Sequence, residues 1–541
     1  MTAASKALRA GYVFSLAERS RVVIMDAMKY CAALLALLAS SLIVFAAGSG
    51  TPDVNAASNA MRALAGGQFD EAVAQLDAPE LRALAALKSR LLAAFAAKPS
   101  APVTLFLRNG VVVAGVITAA SPADLTVTKL GNVTARVAWS DLKPASFYAV
   151  LGSAADPRSS EEQLGLGILA RSIRMEPQAQ AHFTAAFDLD PMLSPRITFW
   201  SGQPLNSRQQ AVLNAAAQMA TLFKGRVRPL AGGRIEVSYD FSKPDQLADW
   251  RGVGGTSNDW KIANGALTTT ALAADPLLWR AAVTGPVEVS ARLNLPEQGY
   301  TAIGLAQWND SEPPNGMRTY FAAIKNDRKF GLRNGTEWAG EVDILKLPEP
   351  FVVTLATEAR QLRTRVNDAA PLTTPLNFAP SLVALRGGLD TKAAYDDIRI
   401  TATLDPGWLA TERWLRGGAA LPKPVRMDSA KPWQDSGLDL QQGRRYRCIA
   451  RGDWSSSPLF GPSTADGSST LDNALGATLR NQSLVGRVGP NGRPFQLGCD
   501  LIFTSNGSGR LFMQVNAVRL DGYKGALEIL LLPADGGGPQ R

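Results

Sequence analysis

Apolar positions change their spacing several times along the chain, and each change marks an element boundary. Residues 55–97 are rich in Ala and Leu at helical spacing, with Leu64, Phe69, Ala72 and Leu76 on one face and Gly66-Gly67 as a turn. The pattern predicts a helical hairpin over 52–98. Over 102–148 the period becomes two. Val103, Leu105 and Leu107 alternate up to Arg108-Asn109-Gly110, and alternation resumes over Val111–Ile117. Asn-Gly between alternating runs signals a hairpin, because both residues tolerate the left-handed backbone of a tight turn. With Leu125–Leu130 and Val133–Trp139, a small curled barrel of four or five strands is expected. Helical spacing returns over 158–228, where Ser159 before Glu161-Glu162 reads as a cap and acidic first turn.

From 234 onward short alternating runs recur: Val287–Leu295, Ala302–Trp308, Tyr320–Ile324, Phe351–Ala356 and Leu382–Arg386. Polar turns between them predict an antiparallel β-sandwich over 234–409. A linker over 410–430 leads to a second sandwich over 431–533, and 534–541 form a disordered, Gly-rich tail. The expected fold class is therefore multidomain: an α-helical N-terminal region holding a small β-barrel, followed by two antiparallel β-sandwiches.

Residues 30–47 form the one long apolar run, eighteen residues that barely span a bilayer. Gly48-Ser49-Gly50 follows with no basic cluster, and Val44/Ala46 or Ala46/Gly48 suit a cleavage site. Residues 1–48 thus read as a signal peptide or, uncleaved, an N-terminal anchor. Met25 or Met28 would be the true start. The expected location is periplasmic, cell-surface or secreted, with membrane contact through this segment alone.

Composition narrows the chemistry. Apolar residues make up 46% and charged residues 19% of the 541 positions, enough for real cores. The net charge is +9, but five basic against two acidic residues before position 48 supply part of it, and no Lys/Arg run with aromatics interleaved occurs. Nucleic acid is not an expected partner. One histidine, His182, and three cysteines exclude most zinc sites and His-dependent triads. Cys448 and Cys499 remain after cleavage. In an oxidising compartment they could close a disulfide, or stand as two buried thiols. No P-loop or strand-linked G-x-G-x-x-G is present.

Several stretches resemble known families. Residues 60–72 and 179–191 resemble tetratricopeptide helices, and the 102–148 sheet is SH3-like in size. Tyr239-Asp240-Phe241, Trp250, Trp260-Lys261-Ile262-Ala263-Asn264-Gly265 and the closing Tyr395-Asp396-Asp397-Ile398-Arg399-Ile400 resemble the concanavalin A-like jelly-roll superfamily, with a layout similar to laminin-G modules and the 3-keto-disaccharide hydrolase domain. That resemblance implies a sandwich whose opening and closing strands are paired. The superfamily's β-glucanases carry Glu-x-Asp-x-Glu on one strand, since positions i, i+2 and i+4 share a face. Here Glu341 and Asp343 begin the pattern, but Leu345 stands where the last carboxylate belongs. They are weak catalytic candidates. Six of the eleven tryptophans lie within 236–409, and Trp308 and Trp338, near strand ends, are candidate sugar platforms.

Residues 431–533 are similar to the PA-IL-like galactose-binding lectin domain, through Trp433-Gln434-Asp435-Ser436-Gly437, Ile449 to Trp454, Leu484 to Gly489 and Gly509-Arg510-Leu511-Phe512. The resemblance implies sugar held through calcium. However, Ala517 replaces the expected carboxylate after Asn516, and Asp521 is the only acid left in the loop, beside Lys524. The calcium site is expected to be lost and no cofactor is required. Asn516, Asp521 and Tyr523 are the loop's ligand-contact candidates. Three readings stay open: an exported non-catalytic protein of the cell envelope that binds carbohydrate or an envelope protein partner, a structural component of an envelope complex, and a glycoside hydrolase.

Overall fold

The computed structural model describes residues 53–98, 100–129, 131–253, 260–269, 276–296, 299–308, 317–335, 337–387, 393–417, 420–456, 462–468, 471–472, 474–475 and 479–535. The N-terminal segment of residues 1–48 and the tail from 536 lie outside them. Two compact units are formed, one from residues up to 187 with 195–203, the other from 188–194 with 204 onward.

The first unit holds helices Val54–Ala65, Phe69–Gln75, Pro79–Ala97, Pro144–Gly152 and Ser160–Ser172, and most of Glu176–Leu189. Where a two-helix hairpin is expected over 52–98, three helices stand. Leu76 is extended and caps the second, and Pro79 opens the third at its first turn. Leu81, Leu84, Leu87 and Leu91 line one buried face of Pro79–Ala97. That face packs on Ser160–Ser172, where Gly165 allows close approach: a Cβ there would lie 2.7 Å from the Leu84 side chain. Ser159 caps Ser160–Ser172, accepting from Glu162 N. Over 102–148 the strands Pro102–Phe106, Val112–Ala120, Asp124–Thr128 and Thr134–Ala138 pair in sequence order, with Gly110 left-handed in the first turn. The four strands form an antiparallel meander, and a bridge between Leu107 and Leu142, with Lys143 N donating to Phe106 O at 2.7 Å, ties the end of the first strand to the segment after the fourth; residues 144–148 enter the Pro144–Gly152 helix.

His182 ties three helices of this unit together. Its Nδ1 donates to Gln163 Oε1 at 2.8 Å, and its Nε2 accepts from the Tyr148 hydroxyl. Burial holds the imidazole below its ordinary value. In this range the unfolded chain binds the proton first, so stability should fall as pH drops below about 6.5 toward the depressed folded value. Because the chain has one histidine, its ring NMR signals report that titration directly. Gln163→Glu, which places a carboxylate against Nδ1, should move the midpoint upward. An unshifted midpoint in the wild-type chain would contradict the buried, neutral assignment.

In the second unit, residues 226–404 form a two-sheet sandwich. One sheet runs, in spatial order, through Glu337–Asp343, Lys329–Asn334, Met317–Lys325, Tyr300–Trp308, Leu382–Gly387, Leu277–Trp279 and Trp250–Gly252. The facing sheet includes Phe351–Glu358, Val283–Leu293, Ala394–Leu404 and Ile235–Tyr239. The opening strand Ile235–Tyr239 pairs antiparallel with Ala394–Leu404, Ile398 opposite Tyr239, as the jelly-roll resemblance implies. Alternate residues fill the core: Val287, Val289, Ala291 and Leu293 from one sheet, Ile303, Leu305, Tyr320, Ala322, Ile324, Phe330 and Leu332 from the other. Tyr239 accepts from Trp279 Nε1 at 2.7 Å and donates to buried Asp249 at 3.0 Å, which also takes the Lys224 and Gly225 N–H groups. Asp396 and Asp397 sit at a bulge and both pair with Arg292.

Residues expected as a linker fold instead. Asp405 caps the helix Pro406–Arg416, accepting from Gly407 and Trp408 N–H, and Trp408, Thr411 and Glu412 are buried. The second sandwich then forms from Val425–Asp428, Lys524–Pro533, Arg445–Ser455 and Asp500–Thr504 facing Gln434–Leu440, Gly509–Val515, Leu484–Val488 and Phe495–Gln496. Among the described residues no helix is long and apolar enough to cross a membrane.

Candidate functional site

Because Phe330 and Leu332 point into the first sandwich's core, the period of two turns Lys329, Gly331 and Arg333 to the sheet's outer face. Cross-strand register extends that face. Gly331 lies opposite Glu341 and Ala323, Arg333 opposite Trp338 and Phe321, and Lys329 opposite Asp343. Ala302 lies between Ala323 and Arg386, and Gly304 between Phe321 and Ala384. Ala302, Gly304, Ala323 and Ala384, together with Phe321, are closed from solvent, so the open part of this face lies toward the edge strand, around Trp338.

Trp338 is the prominent group here. Its ring rests on Gly331, where a Cβ would lie 2.7 Å from it, yet the residue stays 36% exposed. Tyr300 meets the ring edge-on at 6.2 Å. The Lys325 ammonium stands 5.1 Å and the Arg333 guanidinium 6.0 Å from its centroid. Arg333 also donates to the Tyr300 hydroxyl at 3.0 Å. The result is a partly exposed indole with an aromatic edge and two cations close to its ring.

The carboxylates beside it are engaged. Glu341 accepts from Lys325 at 2.9 Å and lies 4.0 Å from Lys329. The hydrogen bond to Glu341 holds the Lys325 ammonium above its ordinary value. Asp343 accepts from Leu345 N at 3.2 Å, and Leu345 itself is exposed. Trp308 ends its strand opposite Met317, and its side chain and the residues after it lie outside the described ones. Of the sequence candidates, Trp338, Glu341 and Asp343 thus stand together on one face, and Tyr300, Lys325, Arg333 and Gly331 beside them were not singled out from the sequence. The signal for the last two was there, as the polar positions alternating with Phe330 and Leu332.

In the second sandwich the calcium-loop candidates do not converge. Asn516 is 0% exposed, and its Nδ2 donates inward to Arg480 O at 2.9 Å, so it is no surface ligand contact. Ala517 is buried, Asp521 is exposed, and Tyr523 packs against the core. Among the described residues no three His, Cys, Asp or Glu side chains cluster as metal ligands. These residues do not fit a calcium ion, which wants six to eight oxygens.

The expected disulfide is also corrected. Cys448 and Cys499 are free thiols. Cys448 stands opposite Leu501, while Ala450 N donates to Cys499 O, so register sets the two cysteines diagonally across neighbouring strands. Diagonal neighbours lie about 7–8 Å apart, beyond the usual disulfide span of about 4.4–6.8 Å. Burial pushes the Cys448 thiol well up, and burial with the Asp466 charge pushes Cys499 up to about 12.

Solved structures match parts of the chain. One is a Bacillus subtilis protein of unknown function with a galectin-like fold, at 14% identity, covering 30% of this chain and 95% of its own, with a TM-score of 0.25. Another is a carbohydrate-binding module from Bacillus subtilis, at 12% identity, 28% and 94% coverage, and a TM-score of 0.24. A third comes from work on endo-acting O-glycanases of the human gut microbiota, at 14% identity, 32% and 93% coverage, and a TM-score of 0.25. Binding modules and enzymes thus both occur among the matches, and the TM-scores are too low to assign the chain to either. No family model matches the chain, and no curated protein does.

Proposed function

We propose that the chain is an exported, non-catalytic carbohydrate-binding protein that uses the outer face of the first sandwich. The observation that carries this reading is the half-open Trp338 ring, seated on Gly331 and edged by Tyr300, Lys325 and Arg333. A sugar ring laid on that surface buries its C–H face against the indole. Its hydroxyls meet the Lys325 and Arg333 donors and the Glu341 acceptor.

Turnover has less support on the same face. Retaining hydrolysis needs one carboxyl as nucleophile and a second as acid. Glu341 is committed to two ammonium groups, Asp343 to a backbone N–H, and the third position is Leu345. A glycan-array screen of the full chain, with calcium and again with chelator, tests the reading. Chelator-insensitive binding to defined glycans without sugar release is expected. Silence in both conditions, or released sugar, would overturn it.

A further inference from the structure

The meander of the first unit has an edge whose backbone is only partly satisfied. Pro102–Phe106 pairs with Val112–Ala120 on one side. On its other side Phe106 is served: its N–H donates to Ser146 Oγ at 2.8 Å, and its carbonyl accepts from Lys143 N at 2.7 Å. In an antiparallel strand the N–H and C=O of one residue point to the same side, and alternate residues agree. Leu107, whose N–H donates to Val111 O at 2.8 Å, belongs to the inward set. Thr104 therefore turns both backbone groups to the free edge, and Pro102 turns its carbonyl there. Thr104 is exposed, and among the described residues neither of its outward backbone groups has a protein partner.

Apolar surface flanks this edge on both faces of the sheet. On the inner face, beside Val103 and Leu105, a cavity of about 170 Å³ lies between the strand and the helix Pro144–Gly152. Phe95, Ala149 and Val150 line it, and exposed Ala149 stands at its lip. The serine hydroxyls on its wall are committed to backbone: Ser100 to Ala101 O, Ser146 to Phe106 N and Ser153 to Val150 O. An apolar group is thus the occupant it suits. A cavity of about 150 Å³ holds a benzene-sized molecule, so this one is large enough for a leucine side chain or a phenyl ring. On the outer face, Phe106 and its cross-strand partner Val112 are 47% and 50% exposed. Open strand edges and exposed apolar patches both mark places where another chain can pair.

We propose that the Pro102–Phe106 edge receives an extended apolar peptide segment of a partner protein as a fifth strand. Its backbone pairs with the N–H and C=O of Thr104 and the C=O of Pro102, the mode of strand addition in which main-chain bonds give affinity and pockets give specificity. Residues of the added strand opposite Val103 and Leu105 share their face, so one of them places its side chain in the cavity. The residue opposite Thr104 lies on the outer face, beside the exposed apolar pair. This site belongs to the helical unit and does not depend on the glycan-binding reading.

The probe is a displayed library of random dodecapeptides, selected on the full chain. The expected result is enrichment of extended sequences with a recurring leucine or phenylalanine. Replacing that residue by glycine in a selected peptide should weaken binding at least tenfold. Thr104→Pro removes the outward N–H while leaving the ladder to Val112–Ala120 intact, and should cost tenfold or more. Ala149→Trp, which fills the cavity from its lip, should do the same without touching the strand. Both changes are at the surface, so unfolding temperatures should stay within about 2 °C, and Ala149→Trp carries the test by itself if the proline disturbs the strand. Lys431→Gln, on the other unit, should leave binding within twofold. No enriched peptide, or enriched peptides indifferent to Ala149→Trp, overturns the proposal. A chain that sediments as a dimer and becomes monomeric in Thr104→Pro also overturns it, since the occupant is then a second copy.

Discussion

Arg447→Ala should destabilise the second unit by about 3–5 kcal/mol, the range for breaking a buried ion pair from one side. Arg447 is 1% exposed. Its Nε and Nη2 donate to Asp500 at 2.7 Å each, Nη2 also to Glu412 at 2.9 Å, and Nη1 to Thr411 at 2.9 Å. Trp408 covers the guanidinium at 5.5 Å. Glu412, 2% exposed, is also held by Arg280 at 3.0 Å and Arg416 at 3.4 Å. This network joins the two sandwiches through the Pro406–Arg416 helix. Alanine would leave the buried Glu412 and the partly buried Asp500 without their shared cation. Thermal unfolding should fall by roughly 5–10 °C. Adding Glu412→Gln and Asp500→Asn to Arg447→Met should recover part of the loss, because neither carboxylate is then left charged without its cation. A single variant within 1 °C of wild type would show that the network is not the junction's anchor.

The same network sets an acid limit. Burial alone would push Glu412 up, but Arg447 and Arg280 outweigh it and hold the carboxyl below its ordinary value. Its contribution is thus complete above the ordinary carboxyl range and is lost as pH falls through the depressed folded value.

Trp338→Ala should lower glycan affinity tenfold to a hundredfold while leaving unfolding unchanged. The ring makes its contacts at the outer face of an edge strand, so its removal opens no core cavity. What is lost is the apolar surface a sugar would bury, worth about 1.5–3 kcal/mol for a large side chain, and each 1.4 kcal/mol is about tenfold in affinity. Trp338→Phe should keep part of it. Gly331→Leu should reproduce the loss with the tryptophan still present, since any side chain there meets the ring. Affinity unchanged in Trp338→Ala would move the site off this face.

Local chemistry explains which elements were legible without coordinates. Asn109-Gly110 predicts its turn because left-handed backbone is a property of those residues, and Gly110 adopts it. Ser159 predicts its cap because the hydroxyl and the N–H it serves are three residues apart. The strand runs follow from alternation, and Trp338 and Glu341 were visible as residue types near a strand end. The Pro406–Arg416 helix also had its Asp-Pro start, though the stretch read as a linker.

The rest depended on contacts distant in sequence. Composition offers two cysteines that could pair in an oxidising compartment, whereas the register of Arg445–Ser455 against Asp500–Thr504 sets them diagonally apart. Asn516 is a polar loop residue by type, yet the fold turns it inward to Arg480. Arg333 and Arg386, fifty-three positions apart, stand on one face of the sheet only because Leu382–Gly387 inserts beside Tyr300–Trp308. Side-chain type and spacing encode local backbone geometry. Which charges lack partners is a property of strand order, because partners are chosen across the sheet rather than along the chain.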